Sequence, residues 1–445
     1  MSATKTVSTT KTVCVVGLGK IGLPLALQFA ASGFSVIGAD IDPRVVADVM
    51  AGREPFPGEP ELADRLRAAR DDGSFTATTE TAEAVAKSSV VVIVVPLIVD
   101  EESRPDFSML DAATASVGGG LQPGTLVAYE TTVPIGTTRN RLAPALSRAS
   151  GLEIGRDLAV VFSPERVYSG RIFADLRKYP KLVGGIDPDS EAKAVDFYSR
   201  ALQFDDRSDL ARENGVWSLG SAEAAEFAKL AETTYRNVNI ALANEFGVYA
   251  ESIGVDVRDV IEAANSQPFS HIHTPGVAVG GHCIPVYPRL YTSTDTEARL
   301  PVLSHQVNTR MPGHVAGLLD GLLPGGVERR RVAVLGATYR GNVKETAFSG
   351  VFPLVEHLER LGADVVVHDT LLDDDELRSF GLHPAQLGEP VDAAVLQADH
   401  DRYYELVVDD LPGIAAIVDG RGVLDPAYWV ERGVAFRRIG DGSTG

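Results

Sequence analysis

The sequence predicts an α/β protein in which two doubly wound domains are joined by a long central helix. Three observations carry that expectation. Residues 12 to 200 alternate short β-branched runs with alanine-rich helical stretches, the pattern of a parallel sheet with helices on both faces. The same alternation returns near residue 328 in a shorter form. Between the two lies "SAEAAEFAKLAETTYRNVNIALANEFGVYAESI", residues 221 to 253, with no proline and Gly247 as its one glycine.

In chain order, the first domain's strands are read in "TVCVVGLG", "SVIGADI", "VVVIVVP", "TLVAYETT", "LAVVFSP" and "KLVGG". The central stretch begins at Ser221, a good N-cap, with acidic residues in its first turn, and is predicted to be one helix. At 1.5 Å per residue it extends roughly 45 to 50 Å, longer than a domain needs, so it is expected to bridge domains or to build a homodimer interface. "RRRVAVLGATYRG", "GADVVVHD", "DAAVLQA" and "IAAIVDGRG" supply the strands of the last domain. The expected boundaries are 11–205, 206–325 and 326–445, and the acidic "LLDDDEL" is a solvated loop or helix start.

Composition narrows the function. A chain of 445 residues with 44% hydrophobic content can fill more than one core. Its 41 basic and 61 acidic side chains leave a net charge of −20, which disfavours nucleic acid and anionic membrane as partners. A local cluster of Arg and Lys in a cleft can still bind a small anion. Two cysteines, Cys14 and Cys283, make no disulfide or metal framework and fit a reducing, cytoplasmic compartment. The opening "MSATKTVSTTK" lacks an apolar core and reads as a loose tail rather than a signal peptide. "VVVIVVPLIV" is too short to span a bilayer and is read as a buried strand ending at Pro96.

"VCVVGLGKIGLPLALQFAASG" places Gly17, Gly19 and Gly22 in G-x-G-x-x-G spacing between a strand and a helix. Glycine there lets the backbone turn tightly and approach a pyrophosphate at the helix N-terminus, with Lys20 and Ile21 inside the same turn. Asp40 closes the next strand, where a carboxylate accepts from the adenosine ribose and repels a 2′-phosphate. The expected cofactor is therefore NAD, on a Rossmann-like domain. Arg44 either lies near that ribose or faces solvent, and Cys14 is read as a small buried hydrophobe.

The second cysteine stands in "AVGGHCIPVYP". Gly280 and Gly281 allow a ligand close to the backbone, and Pro285 and Pro288 stiffen the exit, so a site-forming loop is expected. His271, His273, His282 and Cys283 could suggest zinc, but adjacent His and Cys side chains rarely share one ion and no second cysteine is near, so no metal is expected.

"GLGKIGLP", "ETTVPIGTTR", "FSPERVYSG", "AEFAKLAETTYRNVNIALANE", "GVAVGGHCIP" and "VDGRG", in this order over nearly the whole chain, resemble the UDP-glucose/GDP-mannose dehydrogenase family. The form of the long helix is most similar to the branch acting on UDP-N-acetylmannosamine and UDP-N-acetylglucosamine. The resemblance implies two-step oxidation of a sugar C6 alcohol to a carboxylate with two NAD+. It implies Cys283 as the nucleophile that captures the aldehyde and is acylated, and Lys229, Glu165 and Thr132 as candidates for taking or ordering the alcohol's proton. Glu165 assists thioester hydrolysis in this reading. Thr132 also falls beside the cofactor, and Thr233 stands where an oxyanion is held.

Lys229, Thr233 and Arg236 share one helix face, which can stabilise an oxyanion and contact the sugar nucleotide. Their second reading is a solvated face on which Lys229 and Arg236 pair with Glu226 and Glu232. Further expected contacts to a UDP-sugar are Arg166, Val167, Gly280, Tyr339, Arg340 and Arg421, with Lys344 assigned to NAD; Arg340, Arg421 and Lys344 could instead be surface charges.

The chain also departs from the family pattern. Thr233 replaces the usual Asn, and Tyr287 the usual Asp four residues after the nucleophile. Gln267 and Phe269 replace a His and an Arg, Leu97 a Thr, and Ser169 a second Glu found in the UDP-glucose branch. The expected function is thus four-electron oxidation of a UDP-N-acetylhexosamine. The alternatives are a UDP-glucose 6-dehydrogenase, a nucleotide-sugar-binding protein impaired in turnover, and a two-electron hydroxyacid dehydrogenase of similar fold.

Overall fold

The structure is a computed structural model that describes residues 11–56, 58–100 and 104–442. The expected tail at residues 1–10 lies outside the described residues. By its contacts the chain falls into two compact units, the first ending at Ala231 and the second beginning at Glu232.

Among the described residues, the first unit holds an eight-stranded sheet. Its strands are β1 (Thr12–Val16), β2 (Ser35–Ala39), β3 (Phe75–Thr78), β4 (Val90–Ile93), β5 (Leu126–Tyr129), β6 (Ala159–Phe162), β7 (Lys181–Gly185) and β8 (Val216–Ser218). They run in the order β8-β7-β6-β5-β4-β1-β2-β3, which contains the 3-2-1-4-5-6 order of a dinucleotide-binding sheet. β4, β5 and β6 are buried at every position, as expected of strands covered on both faces.

Two features were not anticipated. β7 runs antiparallel to β6, pairing Phe162 with Gly184 and Val161 with Gly185, so the sheet is mixed. The run read as a strand to Pro96 leaves the ladder after Ile93. Its next carbonyls are needed elsewhere: Val94 O faces Gly17, and Val95 O accepts from Thr131 Oγ1 at 2.6 Å.

The long helix spans Ala222–Ile253. Gly184 explains its close start on the sheet, because a Cβ there would lie 2.0 Å from Ser221 O.

In the second unit five described strands, β9 (Arg331–Leu335), β10 (Asp364–His368), β11 (Ala393–Leu396), β12 (Ala416–Asp419) and β13 (Ala435–Arg438), form a parallel sheet in the order β10-β9-β11-β12-β13. The edge strand β13, "AFRR", is half arginine and has no apolar pattern that marks it in the sequence.

The first turns of the two sheets repeat one design. Gly17 N donates to Ala39 O and Leu18 N to Asp40 Oδ2; Gly336 N donates to His368 O and Ala337 N to Asp369 Oδ2. They differ in what the acid can still do. Asp40 is half-buried, whereas Asp369 is buried and meets His400 Nε2 at 3.1 Å. The second turn is therefore closed by its own side chains.

Candidate active site

The three glycines of the first loop do three different things. Gly17 has φ +92°, which a side chain resists, and its Cβ would stand 2.6 Å from Val94 O. Gly22 packs the helix Gly22–Ala31 onto the strand so closely that a Cβ would sit 1.8 Å from Gly17 O. Gly19 faces open space, with nothing within 4 Å of the same test atom. That combination of a forced turn, a tight helix start and one bare backbone position fits a dinucleotide pyrophosphate.

Asp40 directly follows β2, and its carboxylate accepts from Leu18 N at 2.7 Å and Asp42 N at 2.9 Å. It thereby ties the glycine turn to the end of β2. Lys20 is exposed and Ile21 half-buried at the helix start. Arg44 takes the solvent-facing place, paired with Asp42 at 2.8 Å. Cys14 is fully buried in β1, and burial pushes its thiol up to about 12, so it is inert.

The carboxyl edge of the same sheet gathers a second group. Glu165 follows β6, half-buried, and its carboxylate pairs with Lys181. Lys181 also donates to Glu130 Oε2 at 2.8 Å, and Glu130 Oε1 accepts from Tyr198 at 2.5 Å. The antiparallel course of β7 makes this possible, since it brings the strand's first residue, Lys181, to the edge where β5 and β6 end. Lys181, Glu130 and Tyr198 are missing from the sequence reading. Its available signal was a lysine opening an otherwise apolar strand and a glutamate directly following another.

Burial pushes Glu130 up to about 8 against the pull of Lys181. For Lys181 burial opposes the charge, but Glu130 and Glu165 outweigh it and hold its pKa up. Arg166 donates to Pro180 O at 2.9 Å, and Val167 packs against the core. Both line a small pocket with Glu165 and Lys181. Thr132 is buried after β5.

On the long helix, Lys229 and Thr233 are buried, which corrects the solvated-face alternative for Lys229, and Arg236 is half-buried. Glu226, offered there as a partner for Lys229, is fully buried and accepts from Gly136 N at 2.5 Å and Thr138 N at 2.8 Å. Its charge is directed to the loop after β5. Burial pushes it up to about 7 despite those two donors.

In the second unit, Cys283 is half-buried on a loop fixed by main-chain bonds. Gly281 N donates to Ala347 O at 2.8 Å, and Tyr287 N donates to Cys283 O at 2.9 Å, starting the short helix Tyr287–Thr292. Tyr339 lies across the glycine pair: a Cβ on Gly280 would stand 2.5 Å from Tyr339 Cβ, and one on Gly281 3.0 Å from its ring. Both glycines are thus needed for the loop to reach Tyr339 at all.

Burial raises the Tyr339 phenol. His282 is exposed, 3.5 Å from Glu345. Arg421 Nε donates to Asp399 Oδ1 at 2.9 Å, Arg340 is half-buried, and Lys344 pairs with Glu376 at 2.6 Å. Of the family departures, Gln267 Oε1 accepts from Phe269 N at 2.8 Å, Phe269 is 88% exposed, Leu97 packs on the core, and Ser169 is half-buried. Among the described residues no three His, Cys, Asp or Glu side chains come together as a metal site, and no helix is long and apolar enough to cross a membrane.

A strand, a glycine turn, a helix and an acid after the next strand are the parts of a dinucleotide-binding domain. Comparison with known proteins makes the class specific. The NAD-binding, central and UDP-binding domains of the UDP-glucose/GDP-mannose dehydrogenase family match residues 11–202, 223–309 and 333–426. The UDP-N-acetyl-D-mannosamine dehydrogenase of Pyrococcus horikoshii is 35% identical over 97% of this chain and 99% of its own. The NDP-N-acetyl-D-galactosaminuronic acid dehydrogenase of Ralstonia nicotianae is 32% identical over 93% of this chain and 96% of its own.

Among solved structures, the UDP-D-ManNAc dehydrogenase from P. horikoshii superposes with a TM-score of 0.85 at 33% identity, covering 97% of this chain and 99% of that one. A UDP-glucose dehydrogenase from Pyrobaculum islandicum gives 0.84 at 25%, covering 99% and 100%. The chain belongs to the UDP-glucose/GDP-mannose dehydrogenase family and is an NAD-dependent nucleotide-sugar dehydrogenase.

Proposed function

We propose that this chain oxidises the C6 alcohol of a UDP-N-acetylhexosamine to the uronic acid through a covalent intermediate on Cys283. The observation that carries the reading is the cysteine's loop, fixed by backbone bonds and packed against Tyr339 through two glycines, with Cys283 left half-buried at its end. The N-acetylhexosamine is favoured by the relatives' named substrates and by Ser169, which stands where the UDP-glucose branch has a second Glu.

Residues of the glycine loop and Asp40 hold NAD+, which supplies the hydride acceptor for both oxidations. Removal of hydride from C6 requires removal of the hydroxyl proton, for which Lys229, Glu165 and Thr132 are the candidates. The Cys283 thiolate then adds to the aldehyde carbon, and the resulting oxyanion takes a proton to give a thiohemiacetal. Lys229, with the Thr233 hydroxyl one turn along the helix, stabilises that oxyanion.

Loss of the second hydride and the hydroxyl proton leaves a thioester on Cys283. Glu165 takes a proton from water, hydroxide adds to the acyl carbon, the thiolate leaves, and the carboxylic acid so formed gives its proton to solvent. Covalent capture holds the aldehyde through the exchange of NADH for NAD+. Arg166, Val167, Arg236, Gly280, Tyr339, Arg340 and Arg421 are assigned to the sugar nucleotide, and Lys344 to NAD+ once it leaves Glu376.

The test is a panel of UDP- and GDP-sugars with NAD+, counting NADH per sugar consumed. Two NADH per UDP-N-acetylhexosamine is expected. One would support a two-electron dehydrogenase, and thermal stabilisation by the sugar without NADH would support a binding protein.

Tyr235, Leu242, Phe246, Tyr249 and Ile253 are exposed on the long helix at spacings of a helical stripe, and we assign them to a homodimer interface. A dimer mass by light scattering at micromolar concentration is expected, and Tyr249→Glu should shift it toward monomer. A wild-type monomer at that concentration would refute the assignment.

A further inference from the structure

Two turns of the second sheet border the loop that carries Cys283. The turn after β9 places Tyr339 against Gly280 and Gly281, and the turn after β12 brings Arg421 Nη1 to 3.8 Å from where a Cβ on Gly276 would stand. β11 lies between β9 and β12, parallel to both neighbours. The residues that follow it therefore face both turns at the carboxyl edge, where open α/β sheets bind their ligands.

Asp399 follows β11 and uses this position. Its Oδ1 accepts from Arg421 Nε at 2.9 Å and from Gly341 N at 3.3 Å, so a single oxygen is bonded to both turns. Gly341 comes so near because it has no side chain: a Cβ there would stand 2.0 Å from Asp399 O. The next two residues hold the same turn, His400 Nδ1 accepting from Asn342 N at 3.1 Å and Asp401 Oδ1 from Asn342 Nδ2 at 2.7 Å. Within it, Thr338 Oγ1 donates to Arg340 O at 2.9 Å. The backbone that carries Arg340 is thus fixed.

Burial opposes the Asp399 charge, but Arg421 and the Gly341 N–H outweigh it and hold the carboxyl below its usual range. Asp399 takes Arg421 by Nε, and among the described residues neither Nη group makes a hydrogen bond. A guanidinium held by Nε presents its Nη pair as a fork that fits two oxygens of a phosphate. A carboxylate beside a phosphate repels it, so what Asp399 contributes to such a site is geometry.

We propose that Asp399 is a specificity-determining positioning residue, which sets the Arg421 fork and the Arg340 turn for the diphosphate of the sugar nucleotide. The proposal rests on the reading that Arg340 and Arg421 contact that nucleotide. Asp399 acts through Arg421 and Gly341 N and touches no reacting atom.

The experiment measures the binding of UDP and of UMP by calorimetry to the wild-type protein and to Asp399→Asn, Asp399→Glu, Asp399→Leu and Arg421→Gln, with a thermal melt of each. Asp399→Asn keeps an oxygen for both donors and drops the charge, so it should prefer UDP over UMP at least as strongly as wild type. Asp399→Glu keeps the charge but displaces the oxygen, and Asp399→Leu removes both. In these two the preference for UDP should fall about tenfold, the size of a lost hydrogen bond to a charged group.

A wild-type preference for UDP in both Asp399→Glu and Asp399→Leu would make the contact structural, whatever their melting temperatures, and overturn the proposal. A loss in Asp399→Asn as large as in Asp399→Glu would place the effect in the charge and overturn it too. Should Asp399→Leu not fold, the contrast between Asn and Glu decides. Arg421→Gln with the wild-type preference would remove the arginine assignment beneath the proposal, an outcome separable from the others.

Discussion

Cys283→Ser is expected to reduce turnover to the uronic acid by about a thousandfold or more, a loss typical of removing an activated nucleophile. The substitution changes one atom and leaves the loop intact, because Gly281 N to Ala347 O and Tyr287 N to Cys283 O are main-chain bonds. The chemistry changes far more. A thiol ionises near neutral pH, where a serine hydroxyl does not, and thiolate is much the stronger nucleophile toward an aldehyde. The first oxidation needs no nucleophile, so the variant should still bind sugar and form the aldehyde slowly or reversibly. Mass spectrometry of products with NADH counted in parallel distinguishes the outcomes. Undiminished conversion to acid would remove covalent capture from the mechanism, while the family assignment would stand.

The position four residues beyond the cysteine bears on the same step. Tyr287 stands where the family usually has Asp, and its main chain starts the helix after the loop. A phenol at this place is a hydrogen-bond donor near neutral pH rather than an anion, so the reaction proposed at Cys283 has no carboxylate from this position. His282 does not substitute for it simply, being exposed and turned to Glu345 at 3.5 Å.

What the sequence discloses and conceals follows from the range of the constraint. The glycine turn and Asp40 are legible because sterics and a few hydrogen bonds fix them within one strand–turn–helix–strand unit. The long helix is legible for the same reason, its propensity being continuous from Ala222 to Ile253. β13 is hidden because its neighbours, not its own residues, make it a strand. Lys181 is hidden more deeply. Its partner Glu130 is 51 residues away, and their meeting depends on β7 reversing direction, which nothing in "KLVGG" announces. Glu226 as a partner for Lys229, the alternative to a catalytic face, rests on helical spacing alone, and only the fold shows two backbone N–H groups waiting 90 and 88 residues upstream.

Gly22→Ala is expected to give the largest loss of stability of any single methyl addition in the cofactor loop, about 3 kcal/mol, with loss of NADH binding. The added Cβ would lie 1.8 Å from Gly17 O and 3.0 Å from Gly17 C. Both are backbone atoms, so no rotamer change relieves the overlap. Either the helix lifts from the strand or the Gly17 turn opens, and the turn is already held by Gly17 N to Ala39 O and Leu18 N to Asp40 Oδ2. Gly19→Ala separates packing from binding. Its Cβ meets nothing within 4 Å, so the fold should melt within about 1 °C of wild type. NADH should nevertheless bind about tenfold more weakly, because the methyl occupies space needed by a pyrophosphate. Thermal melts and NADH fluorescence titrations of the two variants therefore test whether the bare position is a ligand surface. If Gly19→Ala bound NADH as well as wild type, the open space over that loop would not be the pyrophosphate site, however well the glycine spacing matches one.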